Sequence, residues 1–310
     1  MAVSTVTAVS YRVEHITHYE YTAPVTLSQQ LLHLTPRNLP WQQCETHALK
    51  IDPQAAEYIE RRDFFGNRIA QFAVRTAHRE LVVLADSVVH LGPRWESLDI
   101  EGSPSWESVR DRLRDVTQAP LLDPGQFLFE SPNVAISAEL AGYAAASFPA
   151  GRALLAGTRD LMGRIHADFE FDAHATTVAT PLSEVIAHRR GVCQDFAHLM
   201  IGCLRMLGLP ARYVSGYLLT RPPPGMPRLV GADASHAWVS VFCPESGWVD
   251  FDPTNNLLPD LEHITVAWGR DFSDVTPMRG VILGGGTQEL DVSVTVTPLG
   301  KATPAPGPGS

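Results

Sequence analysis

The sequence predicts an α+β protein in which a helix that carries a cysteine packs on an antiparallel sheet, preceded by a β-rich N-terminal domain. Short apolar runs alternate with turn residues up to about residue 92, which is typical of antiparallel β structure. Beyond residue 133, apolar residues recur at helical spacing, and two later stretches alternate as strands do. A chain of 310 residues, 45% of them hydrophobic, is long enough for about two domains.

Composition and periodicity divide the chain into five parts. The β-rich domain is followed by a connector rich in Pro, Ser and charge, and then by a mixed domain that begins with helices. Near the end, an alternating stretch is expected to return to the N-terminal sheet, and a tail without apolar period is expected to be disordered. The boundaries are 1–92 for the β-rich domain, 93–132 for the connector, 133–279 for the mixed domain, 280–298 for the returning strand region and 299–310 for the tail.

Individual elements follow from the same patterns. A Pro-rich loop at 221–227 is expected either to form the rim of a cleft or to be an ordinary solvent loop, with equal weight. The aromatic residues of the β-rich domain are expected to pack in its core. The predicted elements are strands at 68–74, 80–91, 211–219 and 289–297, a hairpin at 64–67, and helices at 106–116, 133–148, 150–169 and 181–188.

One cysteine stands where a loop is expected to turn into a buried helix. Apolar residues recur at helical spacing from Phe196 to Leu207, ahead of a Gly and Pro stop signal, which places Cys193 in the first turn. The unpaired amides and the positive end of the helix macrodipole at that point both favour thiolate over thiol. Cys193 is therefore a candidate nucleophile.

A nucleophilic thiol needs a base, and the base needs a group that orients it. Two downstream stretches alternate like strands and are separated by a Pro, Glu, Ser, Gly run that is typical of a hairpin loop. If Phe242 pairs with Trp248, His236 lies diagonal to Asp252 on the same face and within side-chain reach. The candidate residues are then, in chain order, Cys193, His236 and Asp252.

These residues lie in three runs, GVCQDFAHL, GADASHAWVSVF and GWVDFDPTN. Together the runs resemble the motifs of the bacterial transglutaminase-like superfamily, which is related by circular permutation to the papain-type thiol enzymes. The resemblance implies a papain-like, transglutaminase-core fold and a thiol hydrolase or acyltransferase with Cys193 as nucleophile, His236 as base and Asp252 as orienter. It covers nearly the whole chain, because further similar segments lie at 11–21, 62–67, 266–275 and 280–286.

Other polar residues near the motifs have simpler interpretations. His198 lies five residues after Cys193, a rotation of about 140° on a helix, so it is predicted to be structural or to support the site from outside the triad. Asp195 is expected to complement the helix N-terminus. Asp250 is expected to be a surface carboxylate or to support the triad from behind.

The sequence suggests no metal and no cofactor. Cys44, Cys203 and Cys243 fit no short metal spacing such as CxxC and are expected to fill buried apolar positions. A zinc ion held by the three candidate triad residues is a weaker alternative, because no clear fourth ligand is evident. No Asp-rich loop of calcium-binding spacing is present in the sequence.

The net charge and the first residues of the chain limit which partners and which location the sequence predicts. The net charge is -10 and no basic run occurs, so neither a nucleic-acid nor an anionic-membrane partner is expected. The first ten residues show no secretory signal pattern, and four cysteines without framework spacing agree with a reducing compartment, so a cytoplasmic location is expected. The oligomeric state is left open.

The predicted chemistry is acyl transfer through a thioester. His236 takes the Cys193 proton, the thiolate attacks a carboxamide or peptide carbonyl, and Asp252 holds the imidazole tautomer. The Cys193 backbone amide is expected to stabilise the oxyanion, with the second donor unassigned. Hydrolysis of an amide or peptide bond is preferred because no lysine-binding feature is visible; transfer to an amine, as in transglutaminases, is the alternative, and a non-catalytic scaffold is the third class.

Overall fold

Two antiparallel sheets and a set of helices make up the computed structural model, which describes residues 8–114, 119–177, 180–220 and 234–301. The strands are β1 Val9–Leu32, β2 Gln42–Asp52, β3 Glu57–Arg62, β4 Arg68–Val74, β5 His78–Leu91, β6 Glu170–Phe171, β7 Arg190–Gly191, β8 Ala211–Leu218, β9 Ala234–Cys243, β10 Gly247–Phe251, β11 His263–Gly269, β12 Met278–Gly284 and β13 Gln288–Lys301. The helices are α1 Trp106–Arg114, α2 Ala119–Gly125, α3 Ala138–Ala145, α4 Leu154–Asp168, α5 Leu182–His188, α6 Cys193–Met206 and α7 Phe272–Val275, with a 3-10 helix at Gln126–Leu128.

The N-terminal sheet has seven strands arranged around the long strand β1. The first half of β1 pairs with β5 and β13, and its second half pairs with β4 and β12. The last strands of the chain therefore complete a sheet that begins with the first. Alternate residues of β5 are buried, including Leu81, Val83 and Val89, as expected for a sheet with one face in a core.

The second sheet has the order β10-β9-β8-β11 and is antiparallel throughout. Helix α6 packs against β8 and β9, and its apolar side chains Phe196, Met200 and Leu204 are almost completely buried in the same core as Val239 and Val241 of β9. Each such side chain contributes roughly 1.5–3 kcal/mol by leaving water. The predicted α+β class, with the cysteine helix on an antiparallel sheet, is confirmed.

Helices α3 and α4 begin later than the sequence predicts. Helix α3 begins at Ala138 rather than at residue 133, because Ser137 caps it by accepting a hydrogen bond from the Leu140 backbone N–H. Helix α4 begins at Leu154 rather than at residue 150, because Gly151 occupies a left-handed conformation, with φ of 77°, in the turn ahead of it.

The C-terminal boundary also differs from the prediction. Strand β13 continues to Lys301, because Lys301 still pairs with Val9 of β1, so the strand extends into the predicted tail at 299–310. The rest of that tail and the Pro-rich loop at 221–227 lie outside the described residues. Within the described ranges, none of the helices is both long and apolar enough to span a membrane.

The free edge of β11 is covered by two amide side chains from the N-terminal region. Gln42 donates to the Thr265 carbonyl at 2.7 Å and accepts from the Thr265 N–H at 2.8 Å. Asn67 likewise donates to the Trp268 carbonyl at 2.8 Å and accepts from the Trp268 N–H at 3.0 Å. Because buried backbone groups must be paired, these amides replace a missing neighbouring strand. They join the N-terminal sheet to the strand that begins at His263.

Replacing Gln42 should therefore weaken the junction between the two sheets. Gln42→Ala leaves the Thr265 N–H without a partner, whereas the Thr265 carbonyl keeps the Arg37 backbone N–H at 3.1 Å, and we expect the free energy of unfolding to fall by about 1–3 kcal/mol. Urea titration followed by tryptophan fluorescence measures the change. The neighbouring exposed Gln43→Ala is the matched control and should change stability little. Equal effects of the two substitutions would contradict this role for Gln42.

Candidate active site

Cys193 is the first residue of α6, as predicted, and its side chain is partly exposed. The Asp195 carboxylate accepts hydrogen bonds from the Val192 N–H at 2.8 Å and from the Thr176 hydroxyl at 2.6 Å. Gly191 leaves room for this arrangement, because a Cβ there would lie 2.7 Å from an Asp195 oxygen. Burial raises the pKa of Asp195, although both hydrogen bonds oppose the shift. Asp195 therefore caps the helix start, as the sequence predicted.

The β9–β10 hairpin has the predicted register. Phe242 lies opposite Trp248, and the ladder continues to Phe251, which leaves Asp252 directly after β10. The His236 Nε2 atom lies 2.7 Å from the Asp252 Oδ2 atom, and both side chains are buried. The diagonal contact expected from the alternation of the two strands is thus present.

Cys193 lies beside the same imidazole, because its interaction with His236 is one of the causes that raise the pKa of the histidine. Because Nε2 faces Asp252, Nδ1 is the nitrogen left for the thiol. Burial opposes a charged imidazole, but the hydrogen bonds and charges of Asp252 and Cys193 prevail and raise the pKa of His236 to about 10. His236 is therefore cationic at neutral pH, and a cation beside a thiol favours the thiolate.

The Asp252 side chain is completely buried and surrounded by donors. Its Oδ1 atom accepts from the backbone N–H groups of Thr254 at 2.9 Å and Asn255 at 3.2 Å. Its Oδ2 atom accepts from His236, from the Asn255 side chain at 2.7 Å and from His263 at 3.1 Å. Burial alone would raise the pKa of Asp252, but the two histidines and these bonds hold it well below its ordinary value. The carboxylate is anionic throughout the physiological range.

His263 and Asn255 also contact Asp252, and neither contact is predicted from the sequence. His263 opens β11, whose alternation from His263 to Trp268 is a usable strand signal, but the sequence does not say which strand lies beside which. Asn255 follows Pro253 in a turn, where asparagine is common for conformational reasons alone. Neither residue type by itself indicates a contact with Asp252.

Asp250 is buried behind His236 and Asp252, so of the two predicted alternatives the surface position is excluded and the supporting position fits. It forms an ion pair with Arg94 at 2.8 Å and accepts a hydrogen bond from the Trp238 indole at 3.0 Å. Burial opposes its charge, but Arg94 and the hydrogen bonds lower the pKa of Asp250 below its ordinary value. Gly216 lets Trp238 cross β8, because a Cβ there would lie 2.4 Å from the indole ring.

His198 has a structural role, in agreement with its helical angle from Cys193. Its Nε2 atom accepts a hydrogen bond from the Phe272 N–H at 3.2 Å, and its ring packs on Tyr213 with a centroid distance of 5.1 Å. Burial lowers the pKa of His198 to about 4, so it is neutral and able to accept that bond. His198 thereby holds the start of α7 against α6.

The other three cysteines lie in environments that differ from that of Cys193. Cys203 and Cys243 are buried, as expected, and burial raises the pKa of both, to about 12 for Cys203. Cys44 is half-buried rather than buried, because it lies at a bulge between β2 and β5, and burial raises its pKa as well. All four are free thiols.

His236, Asp252 and His263 also form a group that could hold a metal ion, since their ligand atoms lie within 4.8 Å of one another. The donor set argues for hydrogen bonding instead. The Asn255 amide directs an N–H donor at the same Asp252 oxygen that would bind the ion, and both imidazoles already bond that oxygen. These residues therefore fit a saturated carboxylate better than a zinc site.

Two family models match the chain, which agrees with this geometry. Residues 11–90 match the bacterial transglutaminase-like N-terminal region, and residues 147–253 match the transglutaminase-like superfamily. The chain is 42% identical over 300 residues to the uncharacterized protein Rv2569c of Mycobacterium tuberculosis, with 93% of each chain covered. It is also similar to a solved structure from Cytophaga hutchinsonii described as a candidate cysteine protease, with a TM-score of 0.73, 20% identity, and 96% and 93% of the two chains covered.

A shorter match involves an enzyme of known name. Over 73 residues, 23% of this chain and 11% of the relative, the chain is 41% identical to a protein-glutamine gamma-glutamyltransferase of Pseudomonas aeruginosa. Fold, site and comparisons together define a protein of the cysteine-based hydrolase or transferase kind. The chain belongs to the transglutaminase-like superfamily.

The cationic state of His236 leads to a pH prediction. Iodoacetamide should alkylate Cys193 faster than the other three cysteines, because the cationic His236 lies beside it while burial raises the pKa of the others, and this advantage should be lost only above about pH 10, where His236 loses its proton. In His236→Gln the advantage of Cys193 over the other cysteines should be much smaller across the same pH range, because the neighbouring cation is removed. Quenched-reaction peptide mapping measures both profiles, with guanidinium-unfolded protein as the control. Superimposable profiles for the two proteins would refute the ion pair.

Proposed function

We propose that this protein is a cysteine-dependent amide or peptide hydrolase that acts through a thioester on Cys193. The observation that carries the proposal is the 2.7 Å contact between His236 and the buried Asp252 carboxylate, with Cys193 beside the same imidazole. A partly exposed nucleophile, a base and an orienting group in that order meet the requirements of covalent catalysis.

The charge state of His236 determines the order of the proton transfers. With His236 cationic before substrate arrives, the Cys193 thiolate attacks the carbonyl carbon, and the imidazolium gives its proton to the departing nitrogen. The neutral imidazole then takes a proton from water, which attacks the thioester and releases the acid and the thiolate. The Cys193 backbone N–H, in the first turn of α6, is the proposed donor to the oxyanion.

Water is the proposed acceptor because the two tryptophans of the hairpin are packed rather than available to form an acceptor path. Trp238 is fully buried and bonded to Asp250, and Trp248 is packed between Phe127 and Phe242 with ring centroids 5.3 and 5.5 Å away. A transferase must shield its thioester from water so that a dilute amine can compete, and aromatic walls usually do this. The proposed substrate is a peptide, a protein or a small amide.

Transfer to an amine is the second candidate. The observation that favours it is the local match to the protein-glutamine gamma-glutamyltransferase of Pseudomonas aeruginosa, which is confined to 73 residues. Both candidates share the acylation of Cys193 and differ only in the group that resolves the thioester.

Substitutions of the three proposed catalytic residues should fall into two groups. Cys193→Ala and His236→Ala should each reduce turnover by at least about 10⁴-fold. Asp252→Asn should keep more activity than Asp252→Ala, because the amide oxygen of Asn still accepts a hydrogen bond from His236. It should nevertheless lower the free energy of unfolding by about 1–3 kcal/mol, because its NH₂ group faces the backbone N–H donors of Thr254 and Asn255. Steady-state rates and thermal melts test this. His198→Gln is the control, and a folded His198→Gln protein without activity would overturn the choice of base.

The fate of the thioester distinguishes the two candidates. Pools of peptides and amides are screened for release of ammonia or amine, and products are then identified by mass spectrometry with and without a millimolar lysine analogue. We expect the free acid to dominate in both cases, because water reaches the thioester without competition from a bound amine. Near-complete conversion into the amine conjugate would instead establish the transferase, and Cys193→Ala should abolish either product.

A further inference from the structure

A second histidine bonds the carboxylate that orients the proposed base. The His263 Nε2 atom lies 3.1 Å from the Asp252 Oδ2 atom, and the His263 side chain is almost completely buried. His263 lies on β11, at the opposite edge of the sheet from β10, and belongs to none of the three sequence motifs. The two imidazoles therefore reach the same oxygen atom from different strands.

This arrangement limits the freedom of the carboxylate. Asp252 follows the end of β10, and its contact with His236 is made within one hairpin. His263 adds a bond across the sheet, since β8 and β9 separate β11 from β10. Trp238 fills the space beside both imidazoles, with its ring 6.1 Å from His236 and 5.3 Å from His263. The carboxylate is thus held by one imidazole from the interior strand β9 and one from the edge strand β11.

The proton on His263 is set by its surroundings. A carboxylate oxygen only accepts, so Nε2 of His263 carries a hydrogen and donates it. The charged and titratable groups that face this ring are Asp252, His236 and Asp260, and the Asp260 carbonyl also accepts the His263 backbone N–H at 3.1 Å. His263 is therefore held by hydrogen bonds at both its backbone N–H and its Nε2 atom.

We propose that His263 is a positioning residue that acts through Asp252: its N–H donor fixes the carboxylate on the His236 imidazole, so that His236 is aligned with the Cys193 thiolate. This rests on the proposed function, because it assigns His263 to the same reaction. Without the donor, the carboxylate keeps its charge but has an additional orientation available. The effect should therefore be a loss of rate rather than a loss of substrate binding.

Three substitutions of His263 separate alignment from packing. His263→Gln keeps an N–H donor long enough to reach Asp252, His263→Asn has the same amide on a side chain too short to reach, and His263→Phe keeps a ring without a donor. Thr265→Val is the matched control, because Thr265 is buried on the same strand and its hydroxyl has no partner among the described residues.

We expect kcat to fall about tenfold to hundredfold in His263→Phe and His263→Asn with KM nearly unchanged, the range for one lost hydrogen bond to a charged group. His263→Gln should recover most of the rate, and Thr265→Val should match the original protein. The proposal is overturned if His263→Asn keeps full kcat, or if Gln and Asn lose rate equally and in proportion to their melting temperatures. Should His263→Phe fail to fold, the Gln and Asn pair makes the same comparison.

A second readout needs no substrate. The rate of Cys193 alkylation by iodoacetamide at neutral pH should fall in His263→Asn and return in His263→Gln, because it depends on the alignment of His236. If no amide is turned over by the original protein, the proposed function fails, while this alkylation comparison still decides the role of His263. Equal alkylation rates in the Gln and Asn variants would count against that role.

Discussion

The geometry of the site depends on one buried charge, the Asp252 carboxylate. A carboxylate removed from water must be saturated with donors, and removing one partner of a buried pair costs about 3–5 kcal/mol. Asp252 meets this demand with His236, His263, the Asn255 side chain and two backbone N–H groups. Each donor comes from a fixed place in the fold, so satisfying the charge also fixes the imidazole that faces Cys193. The same contacts that keep the charge buried thus align the proposed base.

The N-terminal sheet takes part in this arrangement through the edge of β11. Gln42 and Asn67 pair backbone groups on the free edge of the strand that His263 begins. The connector adds a second attachment, because Arg94 lies between the Trp41 and Trp95 rings, 4.1 and 4.5 Å from their centroids, and bonds Asp250. Buried arginines of this kind are held by both charge and ring contact. The β-rich region therefore acts as a support for the two outer strands of the second sheet.

The register of the β9–β10 hairpin could be predicted from the sequence, but the residues that surround the hairpin could not. A period of two and a tight turn determine the register of β9 and β10, so the contact of His236 with Asp252 could be predicted. The contact with His263 depends on strand order, which no local pattern encodes. Local chemistry also moved the helix starts, since a Ser cap and the left-handed Gly151 override apolar periodicity. The sequence left Asp250 either on the surface or behind the triad, because the choice depends on Arg94 and Trp238, partners that no local pattern reveals.

The four cysteines show how far position rather than residue type decides reactivity. Cys203 sits in the apolar middle of α6, where burial opposes a thiolate, whereas Cys193 on the same helix is partly exposed and faces the cationic His236. Ten residues along one helix thus separate an inert thiol from the proposed nucleophile. The difference is the cationic His236 beside Cys193. Its charge is stabilised by Asp252, a residue with no contact to the substrate in the proposed reaction. The buried charge is that of Asp252, on the far side of His236, so the Cys193 thiol itself can remain open to solvent and substrate.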